Sequence, residues 1–306
     1  MNTPKLTGLT AAPYVALNAD HSLNLNAIEA QARSLVASGV SGAFVCGTTG
    51  EGVSLTTAER MAVAAQWCKV AGPDLRVIVH VGHTALGECQ ALASHAQQIG
   101  AAGISNLAPF FFKPAQLNDL VDFCAEVAAA APALPYYYYQ IPSMTGVHLP
   151  AADFLRAARP RIPNLAGVKF TFENLMDLAE CVRLDEGHFD VVFGRDEMLV
   201  SGLAAGAKGA IGSTYNFAAP VYLRIFKAFA NGDLLTAQAE QARANAMISI
   251  LLRFGGLASG KAVMRLIGLD CGPVRLPVRS LSEAQEAELR SELERVGFFE
   301  FCSVLK

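Results

Sequence analysis

Lys169 closes the run LAGVK, Leu165–Lys169, which is apolar until its last residue. Period-two alternation along a strand puts Gly167, Lys169 and Thr171 on one face and Val168 and Phe170 on the other. If the apolar pair meets a helix layer, the amine points the opposite way, into a strand-lined interior where an unpaired ammonium is costly. A desolvated amine gives up its proton more easily, which is what attack on a ketone to form a Schiff base requires. The lysine alone leaves a second reading equally open, a buried structural ion pair. Lys5, Lys69, Lys113, Lys227 and Lys306 sit at termini, in loops or on helical faces, and Lys208 precedes its strand.

The neighbours narrow the choice. Four tyrosines, Tyr136 to Tyr139, end the run before Lys169, and parity places Tyr137 and Tyr139 on one face. A phenol beside the amine can shuttle a proton to or from a substrate hydroxyl, although a strand tyrosine alone is more often packing. Further back, CGTTGEG is a turn with two hydroxyls, Thr48 and Thr49, ahead of a helix opened by Thr56, Thr57 and Glu59. Hydroxyls and backbone amides there could hold a carboxylate; the plain alternative is a glycine-rich connection.

Other motifs carry less. GGLASGKA, Gly255 to Ala262, has the outline of a phosphate-binding loop, but Ala262 lacks the magnesium-binding hydroxyl and a helix rather than a strand precedes it. His80 and His83 are three apart on a strand, hence on opposite faces, and nothing nearby completes a metal set. Neither GxGxxG nor GxSxG occurs. Seven scattered cysteines without a CxxC pair suggest reduced, mostly buried thiols.

These residues need a frame. Short β-rich runs recur at LTGLTAAPYVAL, GAFVCG, RVIVHVG, GISNLAP, LPYYYYQIP, LAGVKFT, DVVFG and AIGST, with amphipathic helical stretches between them. Eight such units with strands buried on both faces point to a (β/α)8 TIM barrel, with an open doubly wound sheet as the fallback. The barrel is expected over residues 1–220. From 221 to 306 only helices are expected, and with no Ser-, Gly- or Pro-rich linker before them they should pack on the barrel as a C-terminal extension. In this fold working side chains sit at the C-terminal ends of strands, which is where Lys169, Tyr139 and the Thr48–Thr49 turn fall.

A net charge of -3 without blocks offers no basic footprint for nucleic acid or an anionic membrane, and no apolar run reaches the roughly 20 residues of a span. The opening MNTPKLTGLT has no apolar h-region, so a cytoplasmic location is expected. A small-molecule ligand fits best.

With GTTGE, YYYYQIPSMTG, GVKFT and GSTYN in this order, the chain resembles the N-acetylneuraminate lyase and dihydrodipicolinate synthase superfamily of class I aldolases, over nearly its whole length. APFFFKP and the stretch from Gly194 to GSTYN are similar to the lyase branch. The resemblance implies that Lys169 forms the Schiff base, Tyr139 relays protons, and Thr48 and Thr49 bind the substrate carboxylate. Thr171 would help place the C4 hydroxyl, and Gly194, Asp196, Glu197 and Ser213 would hold a polyhydroxylated tail. It also implies a homotetramer, pyruvate as product or co-substrate, and no cofactor or metal. Met144 and Phe111 stand where the synthases have an arginine and a neighbouring subunit's tyrosine, which weakens a synthase reading. Arg195 and Gln140 vary in the family and leave the sugar open. The expected activity is cleavage of N-acetylneuraminate to N-acetylmannosamine and pyruvate. The alternatives are another 2-keto-3-deoxy sugar acid, a synthase-like condensation of pyruvate with an aldehyde, and a catalytically silent sugar-acid-binding barrel.

Overall fold

The computed structural model describes residues 5–303. Eight parallel strands close on themselves in chain order. They are β1 (Gly8–Ala11), β2 (Gly42–Val45), β3 (Arg76–His80), β4 (Gly103–Leu107), β5 (Tyr136–Gln140), β6 (Leu165–Phe170), β7 (Asp190–Phe193) and β8 (Gly209–Gly212). Around them run α1 (Ala27–Ala37), α2 (Thr57–Val70), α3 (Leu86–Gln98), α4 (Leu117–Ala129), the short α5 (Pro142–Thr145), α6 (Ala151–Ala158), α7 (Leu175–Arg183), α8 (Leu199–Ala204) and α9 (Tyr215–Ala230). The expected (β/α)8 barrel is the observed fold, and all eight β-rich runs contribute a strand.

Alternation divides each strand between two apolar layers. Phe44, Ile78, Tyr137, Tyr139, Val192 and Ile211 turn inward and pack on one another. Their neighbours Ala43, Val45, Val77, Val79, Tyr136, Tyr138, Val168 and Phe170 face the helices. This is why the strands read as unbroken apolar runs: each residue meets either the barrel centre or the helical ring.

One irregularity sets the chemistry in register. Tyr136 pairs with Leu165, but Tyr137 pairs with Gly167, so Ala166 is an extra residue on β6. Without this bulge Tyr139 would face Val168; with it, Tyr139 lies beside Lys169. Gly167 permits the arrangement, because a Cβ there would stand 1.8 Å from the backbone oxygen of Asp190.

After β8 the described chain is helical: α9 leads into α10 (Leu234–Arg253), α11 (Leu257–Leu266), α12 (Glu283–Arg295) and α13 (Phe298–Phe301). These helices share the outer core with the barrel. Phe217 in α9 lies with its ring centroid 6.4 Å from that of Tyr14 and 6.2 Å from that of Phe298. Among the described residues no single helix is long and apolar enough to cross a membrane. All seven cysteines are free, and five of them are buried.

The bulge yields a test of stability. Gly167→Ala should lower the unfolding free energy by about 1 to 3 kcal/mol or more, since backbone cannot step aside. Gly87→Ala in α3, where an added Cβ meets nothing within 4 Å, should be neutral or stabilise by up to about 1 kcal/mol. Denaturant midpoints of the two variants compare them directly; equal effects would remove the structural argument for the bulge.

Candidate active site

Lys169, one residue before the end of β6, has 4% of its surface exposed. Its Nζ sits 3.9 Å from the ring centroid of Tyr139 and 4.1 Å from that of Phe44. Among the described residues no carboxylate lies within ion-pair distance of it, so the structural ion-pair reading fails for this lysine. Aromatic faces stabilise the charged amine modestly while keeping water away. Unlike a carboxylate, they leave Nζ free to become a nucleophile once it loses its proton.

The Tyr139 hydroxyl lies 3.5 Å from Thr48 Oγ1, a loose contact that joins the β5 phenol to the turn after β2. Thr48 is exposed and Thr49 half-buried. The amides of Glu51 and Gly52 donate to the carbonyls of Thr48 and Gly47, closing that turn. Thr56 caps α2 reciprocally with Glu59, the local signal that marks a helix start. His80 stands edge-on to Tyr139 at 5.6 Å. Burial, then the Arg60 and Lys169 charges, hold its pKa well below the ordinary value. A neutral imidazole therefore borders the amine, and its Nδ1 has no partner. His83 falls in the loop beyond β3 rather than on the strand, and its Nδ1 accepts from the amide of Ala85.

Across the rim, Thr171 follows β6 with a buried Oγ1 that has no partner. Gly194 follows β7 and passes so close that a Cβ would stand 1.9 Å from that oxygen. Asp196 is buried; its Oδ2 accepts from the Thr214 amide at 3.0 Å and the Thr214 hydroxyl at 2.6 Å. Gly212 keeps space for its Oδ1, since a Cβ there would lie 1.7 Å from it. The Thr171 hydroxyl is thus desolvated and unpaired, an expensive condition that a hydroxylated ligand would relieve, whereas the buried Tyr215 hydroxyl adjoins the Asp196 carboxylate. Ser213 is half-buried at the end of β8. Arg195 forms ion pairs with Glu197 and Glu173, tying the loop after β7 to the one after β6.

An apolar cavity of about 140 Å³ opens beside Thr48 and His80, lined also by Val53, Leu107, Phe110 and Met144. A larger cavity of about 310 Å³ lies at the opposite end of the barrel, around Lys5, Arg159 and Asp190. The smaller one sits at the working end of this fold, so size does not decide between them.

Lys169, Tyr139, Thr48, Thr49, Thr171, Gly194, Asp196, Glu197 and Ser213 therefore all lie at the C-terminal ends of the strands or in the loops that follow. Gln140 turns away from the site, its Nε2 donating to the Leu149 carbonyl and approaching Asp177. Phe111 and Phe112 are exposed, whereas Phe110 packs into the barrel mouth. Sequence reasoning missed Glu173, Arg60 and Lys261. Arg60 is buried and donates to the carbonyls of His80 and Gly82. Lys261, set aside with the false phosphate loop, is buried against Glu51.

Known proteins share this arrangement of elements. A profile of the dihydrodipicolinate synthetase family matches residues 5–296. N-acetylneuraminate lyase of Rattus norvegicus is 41% identical over 304 residues, covering 97% of this chain and 94% of the relative. That of Gallus gallus is 42% identical over 297 residues, covering 95% and 96%. Among solved structures, Proteus mirabilis N-acetylneuraminate lyase superposes with a TM-score of 0.94 at 39% identity, covering 96% of this chain and all of the other. The sialic acid aldolase of Aliivibrio salmonicida gives 0.94 at 40% identity, covering 97% and 98%.

Asp196 provides a pH test. Burial raises its pKa from 3.8 to about 6, so its contribution to stability is fully present below 3.8 and lost as the pH rises through about 6. Unfolding free energies followed from pH 4 to 7 should fall, relative to Asp196→Asn, by up to about 3 kcal/mol. Parallel profiles for the two proteins would contradict the burial of a charged Asp196.

Proposed function

The chain belongs to the dihydrodipicolinate synthetase family, and from that membership we propose that it is a class I aldolase cleaving N-acetylneuraminate, sialic acid, to N-acetylmannosamine and pyruvate. The observation that carries the reading is a buried lysine amine held between two aromatic faces, with a phenol and a hydroxyl turn beside it. Identity near 40% to proteins named N-acetylneuraminate lyase supports the choice of substrate.

In the proposed cycle the neutral Nζ of Lys169 attacks the C2 ketone, and loss of water leaves a protonated imine. Thr48 and Thr49 hold the carboxylate. The C3–C4 bond then breaks, its electron pair passing into the imine to give an enamine, while Tyr139 takes the proton from the C4 hydroxyl placed by Thr171 and hands its own phenolic proton to the substrate carboxylate beside it. The aldehyde departs, the enamine is protonated at C3, and water hydrolyses the imine to pyruvate and free lysine. The iminium is itself the electron sink, so the reading needs no cofactor. Gly194 gives the sugar tail room, and Asp196, Glu197 and Ser213 bind its hydroxyls. Met144 and Phe111 argue against a synthase, since neither supplies a charge or hydroxyl for a second substrate. The reading extends to a cytoplasmic homotetramer in which Phe111 and Phe112 are covered.

Incubation with pyruvate and borohydride should add the mass of the reduced adduct to the peptide holding Lys169, and Lys169→Met should abolish turnover. Tyr139→Phe should slow it about 10²- to 10⁴-fold. An unmodified Lys169 peptide would sink the Schiff-base reading. Pyruvate release from sialic acid, set against release from other 2-keto-3-deoxy sugar acids, decides the substrate. Light scattering should give four times the mass of one chain, and a monomer would overturn the assembly.

A further inference from the structure

The turn assigned above to the substrate carboxylate is backed by a negative charge. Glu51 closes it, at φ 51°, with its amide donating to the carbonyl of Thr48. Its side chain runs into the protein, where 2% of it remains exposed, towards the C-terminal helices. There Oε1 lies 2.7 Å from Lys261 Nζ on α11, a buried ion pair. Oε2 accepts from the Arg275 amide at 2.9 Å, and Lys261 also donates to the Pro273 carbonyl at 2.6 Å. The guanidinium of Arg275 is committed elsewhere, to both oxygens of Glu59 and to the Ser54 carbonyl. Lys261 is therefore the cation in direct contact with Glu51, and Arg275, paired with Glu59, adds only a more distant attraction.

We propose that Lys261 is a positioning residue for the aldolase: it cancels the Glu51 charge behind the Thr48–Thr49 turn, so that a 2-oxo acid carboxylate can bind in front of it. The inference rests on the carboxylate role given to that turn. A carboxylate left bare a few residues along the same turn, surrounded by protein rather than salt solution, is poorly screened and repels an incoming anion. It also loses the anchor that fixes the turn's shape. The pair costs more to break than to replace, because removing one partner strands a buried charge, while replacing both with neutral groups does not. The helical extension thus serves the site without touching substrate.

The test is the ketone concentration that half-saturates borohydride trapping on Lys169, measured with pyruvate and with uncharged pyruvamide. Lys261→Met should raise it about tenfold for pyruvate and leave pyruvamide within about twofold. Lys261→Arg, which keeps the charge, should stay near the unaltered protein. In Glu51→Gln with Lys261→Met both charges are gone, and pyruvate should return to within about threefold; this variant carries the test if the single one does not fold. Equal shifts for the two ketones, no shift for either, or a double variant still weakened only towards pyruvate would each overturn the inference while leaving the Schiff base intact. Absence of trapping in the unaltered protein would overturn the Schiff-base reading, and this inference with it.

Discussion

A lysine amine must be kept out of water without being handed to a carboxylate. Every other feature of the upper rim follows from that requirement. A counter-ion at 3 Å would hold the proton on Nζ and end its use as a nucleophile, whereas bulk solvent would do the same by hydration. The barrel resolves this by seating Lys169 among inward-facing aromatic residues, with Phe44 from β2 and Tyr139 from β5 as the walls. The neutral His80 completes the enclosure without adding charge. Closure of the sheet matters here because it brings β2, β5 and β6 around one point with no exposed edge.

Much of this was legible in the chain. Strands buried on both faces write themselves as apolar runs, and a lysine at the end of one stands out because nothing else in the run is polar. The parity argument for Lys169 held because it relied on adjacent residues only. The bulge at Ala166 left no mark in the pattern, and it decides which tyrosine adjoins the amine. Contacts that span the chain were equally hidden. Glu51 sits in the turn after β2 and Lys261 in a helix that resembled a phosphate loop, and no local periodicity connects the two. Glu173 lay in a loop whose meaning depends on where Arg195 reaches. Gln140 could be misjudged because its neighbour Tyr139 faces the site, although one step along a strand reverses the direction.

Two buried lysines with opposite surroundings thus divide the labour. Lys169 has aromatic faces and no ion pair; Lys261 has an ion pair and a carbonyl. Reactivity needs the first environment and shape the second. The helices after β8 contribute through that second lysine, and through Gln241 on α10, whose side-chain amide donates to the Asp196 carbonyl in the loop after β7. A segment that adds no strand to the barrel therefore braces both the turn after β2 and the loop after β7.

The tyrosine run on β5 shows how little a residue's type says about its duty. Tyr136 donates to Asn106, Tyr137 donates to Asp190, and Tyr138 stacks on Phe154. Burial pushes all three of those phenols up, away from proton exchange. The fourth alone meets the amine and the threonine hydroxyl. Four identical side chains in succession hold four distinct posts, so a slip of one place along this strand would keep the composition and forfeit the enzyme. Address, rather than identity, sets one of them against the amine.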